Sequence, residues 1–376
     1  MCRCVMIPRP VSDLDGLGPV VHGGINRGKL DSMGLGVDDI LDFSVSINPL
    51  PPHEDVLKAS RSAELDIYPD RSAWELRERL SDLHGVDSSR VLVTNGASQA
   101  IWLVSMAYLR SGRKTSVVVP AYGEYIQAAS ALGASVSLWD FGDFMTGDSS
   151  GFSRSLHDRI GIEPPEVLWI CSPNNPTGYA LSRSQIESIL DICKVGPTMV
   201  VLDEAYRNFM EDPPDLEDLL DTGRLLILRS MTKDYGLPGV RLGYVLGSSD
   251  SISAMEKVQP DWSVGAQAQA VGVALLQNRE HYERQWELLR IEKKRLSDGL
   301  KRIGVTVISG EGNFLLCRHR SWSELKTYLW NKRIQLRDCG SFGLKNYFRI
   351  GIKTVDMDDL LLKEISSFLL GEEALG

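Results

Sequence analysis

Lys233 stands in the stretch RSMTKDYGLPGVRLGY (residues 229–244), among small hydroxyls, glycines and apolar residues, with Arg241 eight positions later. An unpaired ammonium is costly to bury, so such a lysine either lies on an exposed loop or is held in a site and used. Three other segments carry groups that could share that site. In TNGASQAIWLV (94–104) an apolar strand ends, Asn95-Gly96 turns the chain, and a helix begins around Ala97–Ser98. The free N–H groups and positive dipole end of a helix start suit a phosphate, although alone this is an ordinary strand-to-helix turn capped by Ser98. CSPNNPTG (171–178) is a rigid turn after an apolar strand, and its Asn175 offers both a donor and an acceptor. LDEAYRNF (202–209) ends the next strand with Asp203, Glu204 and Tyr206. A carboxylate there is either a helix cap or the partner of a buried cation.

Other motifs are weaker. GGINRGK (23–29) has the spacing of a phosphate loop, but Leu30 replaces the Ser or Thr that would hold magnesium and no strand leads into it. GLG (34–36) lacks the third glycine of a dinucleotide fingerprint. Cys2 and Cys4 form a Cys-x-Cys with no second cluster and there is no HExxH, so no metal site is expected.

These groups need a scaffold, and the chain supplies a regular one. Nearly continuous apolar runs predict buried strands at 91–94, 116–120, 135–140, 166–171, 198–204, 225–230 and 243–247. Helical patterns such as 98–110 and 183–194 fill the gaps, which predicts an α/β fold with a mainly parallel seven-stranded sheet. Beyond about residue 265 a long charged helical stretch (roughly 270–303) leads into short strands, a helix through Trp322–Trp330, two more strands and a final amphipathic helix. That pattern predicts a smaller α+β domain at 266–376, after a large domain at 46–265 and an N-terminal arm at 1–45 that joins the small domain. With 376 residues, 43% of them hydrophobic, a sizeable core is expected; the net charge of −9 and the lack of a basic stripe argue against a nucleic-acid partner. Six cysteines without CxxC pairing fit a reduced compartment, and neither a signal peptide nor an apolar run long enough for a membrane span is visible. A cytoplasmic protein is expected.

Taken together, the order and spacing of the four loops resemble the fold-type-I pyridoxal-phosphate (PLP) enzymes of the class I/II aminotransferase kind, from about His22 to the C-terminus. The resemblance implies that PLP is the cofactor and that Lys233 is the lysine bonded to its aldehyde, with a depressed pKa suited to that role. It implies that Asp203 pairs with the pyridinium nitrogen, that Asn175 and Tyr206 bond the ring hydroxyl, and that Tyr122 stacks on the ring. The phosphate would rest on Gly96, Ala97 and Ser98, with Ser230, Thr232 and Arg241 around it. Tyr68, in IYPD, matches a tyrosine donated by a neighbouring subunit, so a homodimer is implied.

Within that family HGG (22–24), LDFSVSINPL (41–50) and IYPD resemble the threonine-phosphate decarboxylase branch, which makes aminopropanol phosphate for the cobalamin side chain, more than the histidinol-phosphate aminotransferases. Both branches handle phosphorylated substrates, which implies a second anion site; His22, Gly23, Gly24, Arg337 and Arg349 are its candidates, Arg349 as the carboxylate clamp. Ile25, Ser46, Pro51 and Gly265 depart from the decarboxylase pattern and lie around the substrate rather than the cofactor. Three readings are therefore carried forward: decarboxylation of a phosphorylated amino acid, transamination, and a non-catalytic PLP-binding regulator, for which no basic appendage is seen.

Overall fold

The computed structural model describes residues 11–140, 149–308 and 310–373; Cys2 and Cys4 lie outside them. Thirteen strands are found there. In chain order they are β1 (Leu41–Asp42), β2 (Val91–Thr94), β3 (Lys114–Val119), β4 (Ser135–Asp140), β5 (Val167–Cys171), β6 (Met199–Asp203), β7 (Leu225–Ser230), β8 (Gly243–Leu246), β9 (Thr306–Ile308), β10 (Phe314–Arg318), β11 (Ile334–Gln335), β12 (Arg337–Asp338) and β13 (Tyr347–Gly351). The large sheet has the order β2-β8-β7-β6-β5-β3-β4. Its strands are the seven expected ones, and only β8 runs against the rest.

β5, β6 and β7 are buried along their whole length. Alternate side chains serve opposite faces, as strand geometry requires. Leu168 and Ile170 join one apolar core, whereas Val167 and Trp169 join the other, beneath the helices Gly96–Tyr108 and Glu124–Ala131. Strands covered on both sides cannot alternate with polar residues, which is why they read as unbroken apolar runs.

The C-terminal region forms an antiparallel sheet, β12-β13-β10-β9. The N-terminal segment is tied to this region: β1 pairs in parallel with β11, Leu41 opposite Ile334 and Asp42 opposite Gln335. The Gly351 N–H also donates to the Phe43 carbonyl. Among its described residues the glycine-rich start contains one short α-helix, Arg27–Ser32, whose first turn is capped by the Asn26 side chain accepting from the Lys29 N–H.

The expected helix over 270–303 is in fact two, Ala266–Gln277 and Arg279–Arg302. The Asn278 side chain donates to the Ala274 carbonyl and its N–H is shared between Ala274 and Leu275, which closes the first helix. The apolar first helix packs on Glu54–Ser62 and Trp74–His84, while the charged second lies against β9, β10 and the helix Val355–Glu373.

Candidate active site

The carboxyl ends of β5, β6 and β7, the start of helix Gly96–Tyr108 and the strand pair β12–β13 surround a cavity of about 250 Å³. Of the residues expected from sequence, His22, Gly23, Ala97, Ser98, Tyr122, Asn175, Asp203, Tyr206, Ser230, Thr232, Lys233, Arg241, Arg337 and Arg349 line it. Gly96 stands just behind Arg241.

Asp203 forms the floor. It is buried at the end of β6, where its Oδ2 accepts from the Tyr125 hydroxyl at 2.5 Å and its Oδ1 from the Ala205 N–H at 2.9 Å. Tyr125 stacks on Trp169 with ring centres 5.2 Å apart, and burial pushes its pKa well up, so the phenol stays a donor. Sequence reading missed Tyr125, three residues beyond Tyr122; only its place one residue into a helix turns it under the carboxylate.

Lys233 is half-buried, with its Nζ 4.9 Å from the centre of the Tyr206 ring. Burial works against its charge, but Tyr206, Asp203 and Tyr122 outweigh burial and hold its pKa above the usual lysine value. The expected depression is therefore not what these surroundings produce: the acidic groups meant for a cofactor face the ammonium instead. Tyr122 has a raised pKa, chiefly from burial, and its hydroxyl bonds to Ser98.

The helix start is shaped for an anion. Gly96 has φ +74°, and a Cβ there would lie 2.8 Å from Arg241 Nη2, so only glycine lets that guanidinium close over the first turn. Arg241 itself has φ 57°, and its Nη1 donates to the Pro238 carbonyl at 3.1 Å. Ser230 and Thr232 bring their hydroxyls within 2.8 Å of each other beside it.

Two arginines face the opposite wall. Arg337 and Arg349 are directly paired across β12 and β13. Arg349 donates to Asn175 Oδ1 at 2.5 Å and to the Ser44 carbonyl at 2.9 Å, while its Nε is buried without a partner. Arg337 donates to the Val21 carbonyl at 2.7 Å and to Ser341 Oγ at 2.8 Å; burial, and then Arg349, push its pKa down. Two neighbouring guanidiniums that repel each other are a receptor for anionic groups.

The remaining candidates lie at the rim or outside the cavity. The His22 Nε2 lies 3.2 Å from Glu124 Oε1, and the imidazole is 44% exposed at the rim. Gly23 touches the Ser44 carbonyl so closely that a Cβ has no room. Gly24 does not line the cavity, and its N–H donates to Ser44 Oγ at 2.7 Å, so that amide is not free for a substrate. Tyr68 is 77% exposed, packed 4.7 Å from the Trp262 ring and away from its own chain's cavity.

The model of the family described as "Aminotransferase class I and II" matches residues 38–365. The chain belongs to this aminotransferase family. It is 32% identical over 359 residues to the threonine-phosphate decarboxylase of Salmonella typhimurium, covering 93% of this chain and 97% of that one. It is 30% identical over 342 residues to the histidinol-phosphate aminotransferase of Symbiobacterium thermophilum, covering 89% of this chain and 92% of that one. The solved histidinol-phosphate aminotransferase of Sinorhizobium meliloti, in complex with pyridoxal-5'-phosphate, matches with TM-score 0.84 at 18% identity, covering 98% of this chain and 99% of that one.

The class I/II member described here is thus a PLP-dependent enzyme. Its cavity fits the cofactor: a buried carboxylate at the floor, an amine above it, and a helix start opened by Gly96 beneath Arg241. Among the described residues no helix is long and apolar enough to cross a membrane, and no cluster of side chains could hold a metal.

Proposed function

We propose that this enzyme decarboxylates L-threonine O-3-phosphate to aminopropanol phosphate, a step in cobalamin side-chain synthesis. The pairing of Arg337 with Arg349 on one wall of the cavity carries this reading. A substrate with both a carboxylate and a phosphate supplies two anions to two adjacent guanidiniums, and a simple amino acid supplies one. PLP supplies an electron sink for the bond broken at the substrate Cα.

The chain's residues do the rest. Asp203, kept in place by Tyr125, would hold the ring nitrogen protonated, and Asn175 with Tyr206 would position the ring. Arg241, Ser230 and the amides at Ala97 and Ser98 would bind the cofactor phosphate. Arg349 would hold the substrate carboxylate and Arg337 the substrate phosphate, with His22 at the entrance, so that these residues orient the carboxylate that leaves as carbon dioxide. The Lys233 nitrogen would deliver the proton that takes its place at Cα. Tyr68 reaches the site from a second copy of the chain.

The test supplies L-threonine O-3-phosphate to PLP-loaded enzyme with and without 2-oxoglutarate. Carbon dioxide release that needs no keto acid is expected. Glutamate formation from histidinol phosphate without any such release would replace this reading with transamination, which the similarity to the Symbiobacterium aminotransferase favours.

A further inference from the structure

Asp234, next to the lysine, is 3% exposed and has no role in the chemistry above. Its Oδ2 accepts from Asn208 Nδ2 at 2.6 Å, and its Oδ1 accepts from the N–H of the adjoining Tyr235 at 3.0 Å. The ion pairs around it, Arg229 with Glu204 and Arg207 with Glu204, leave it out. A buried carboxyl without a cation is poorly solvated when ionised.

Its backbone is equally constrained. The Asp234 carbonyl accepts from Asn48 Nδ2 at 2.9 Å and from Trp286 Nε1 at 2.8 Å, and the Lys233 carbonyl accepts from the Asn48 N–H at 2.8 Å. Asn208 lies in the one-turn helix Arg207–Phe209, immediately after Tyr206. The Asn208–Asp234 bond therefore joins the turn bearing Tyr206 to the turn bearing Lys233, whose side chains meet in the cavity.

We propose that Asp234 is a positioning residue for Lys233: it ties the lysine's turn to the Tyr206 turn, and its charge state changes how readily the lysine releases a proton. Burial pushes the Asp234 pKa up to about 7, against the bonds from Asn208 and Tyr235 and the charge of Lys233. The other charged or titratable groups facing it are Glu204 and Arg207 after β6, Arg229 on β7, Tyr244 on β8 and Tyr235 in its own turn. Arg279, on the helix Arg279–Arg302, acts on both tyrosines. When Asp234 ionises, a negative charge appears one residue from Lys233 and favours the protonated lysine nitrogen; when it is neutral, that support is lost.

The inference rests on Lys233 being the cofactor-bound lysine, and the test separates the two. In PLP-loaded enzyme the visible absorbance that reports the lysine nitrogen's protonation is titrated across neutrality. Asp234→Asn is expected to lower its midpoint by about one pH unit, the size of effect a nearby unit charge has in a protein interior. Asn208→Ala, which removes a bond favouring the ionised carboxyl, is expected to shift it the same way by less, and it serves if the first variant does not fold.

A second readout uses cofactor-free protein. Because the folded value lies above the ordinary 3.8, this carboxyl's contribution to stability is complete below pH 3.8 and is lost as pH rises to about 7. The slope of thermal stability against pH over that window should be less negative in Asp234→Asn than in wild type. Midpoints that superimpose in wild type and both variants overturn the proposal, as do superimposed stability profiles of wild type and Asp234→Asn. A wild-type enzyme without the visible band, or a Lys233→Ala variant that keeps it, would instead overturn the lysine assignment and this inference with it.

Discussion

Arg337 is held by the Val21 carbonyl and Ser341 rather than by a carboxylate, so its charge is uncompensated within the cavity. Arg337→Met should therefore raise the KM for L-threonine O-3-phosphate by about 10- to 100-fold, the loss of one charge-assisted contact, while leaving the PLP absorbance intact. Arg337→Lys should recover little of this, because a point charge cannot reproduce the two-pronged geometry. An unchanged KM would remove the phosphate from Arg337. The floor makes a different prediction. Tyr125→Phe removes a bond to a buried carboxylate, worth about 1.5–3 kcal/mol, and should weaken PLP retention in a dialysis assay. Retention equal to wild type would mean that the Ala205 N–H suffices to hold Asp203.

β6 and β7 are neighbours, and the residues at and just beyond their ends carry the site, so what binds those ends together matters as much as the site. Glu204 and Arg229 lie 2.7 Å apart with both side chains almost fully buried. Arg229→Ala would leave Glu204 in the core with only the more distant Arg207, 3.7 Å away, and should cost about 3–5 kcal/mol, read as a fall in Tm. The double variant Arg229→Met with Glu204→Gln should be milder, since the buried carboxylate is removed together with its nearest cation. Equal losses in the two would mean that the pair is not the source of the effect.

These strands were legible because a doubly covered strand such as VLWIC has no polar alternation to hide it. The lysine turn, the asparagine turn and the strand-end aspartate were legible because each places a reactive or polar group where apolar sequence stops. The break at Asn278 was not, since apolar and charged helical patterns run through it without a proline or glycine. Asp234 was not either: in TKDYG it reads as an ordinary turn residue, and only Asn208, Asn48 and Trp286, all distant in sequence, show that it is enclosed. The opposition of Arg337 to Arg349 depends on a strand register that sequence spacing does not reveal.

At the scale of the whole molecule, one group of exposed apolar side chains surrounds the Tyr68 turn. Leu65, Ile67, Tyr68, Trp74 and Trp262 all stand out from the surface near the Tyr68 turn. Such a patch suits association with a second copy. The enzyme should run as a dimer in light scattering, and Tyr68→Phe should impair the site of the partner rather than its own. Mixing inactive Lys233→Ala with an impaired Tyr68 variant should then restore part of the activity, because one hybrid site has both residues intact; no restoration would place Tyr68 outside the reaction.

The pairing of β1 with β11 has a consequence for synthesis. Residues 41–42 leave the ribosome long before residues 334–335, their strand partners. At roughly 10 residues per second the gap is on the order of half a minute. During that interval the Ser44 and Val21 carbonyls lack Arg349 and Arg337, and the Phe43 N–H lacks the Gln335 carbonyl. The large sheet can close early, but the Arg337–Arg349 wall cannot exist in the nascent chain. A translation pause before β10 would lengthen the exposure of the N-terminal segment, and a chaperone bound there would act on this protein before it has anything to catalyse.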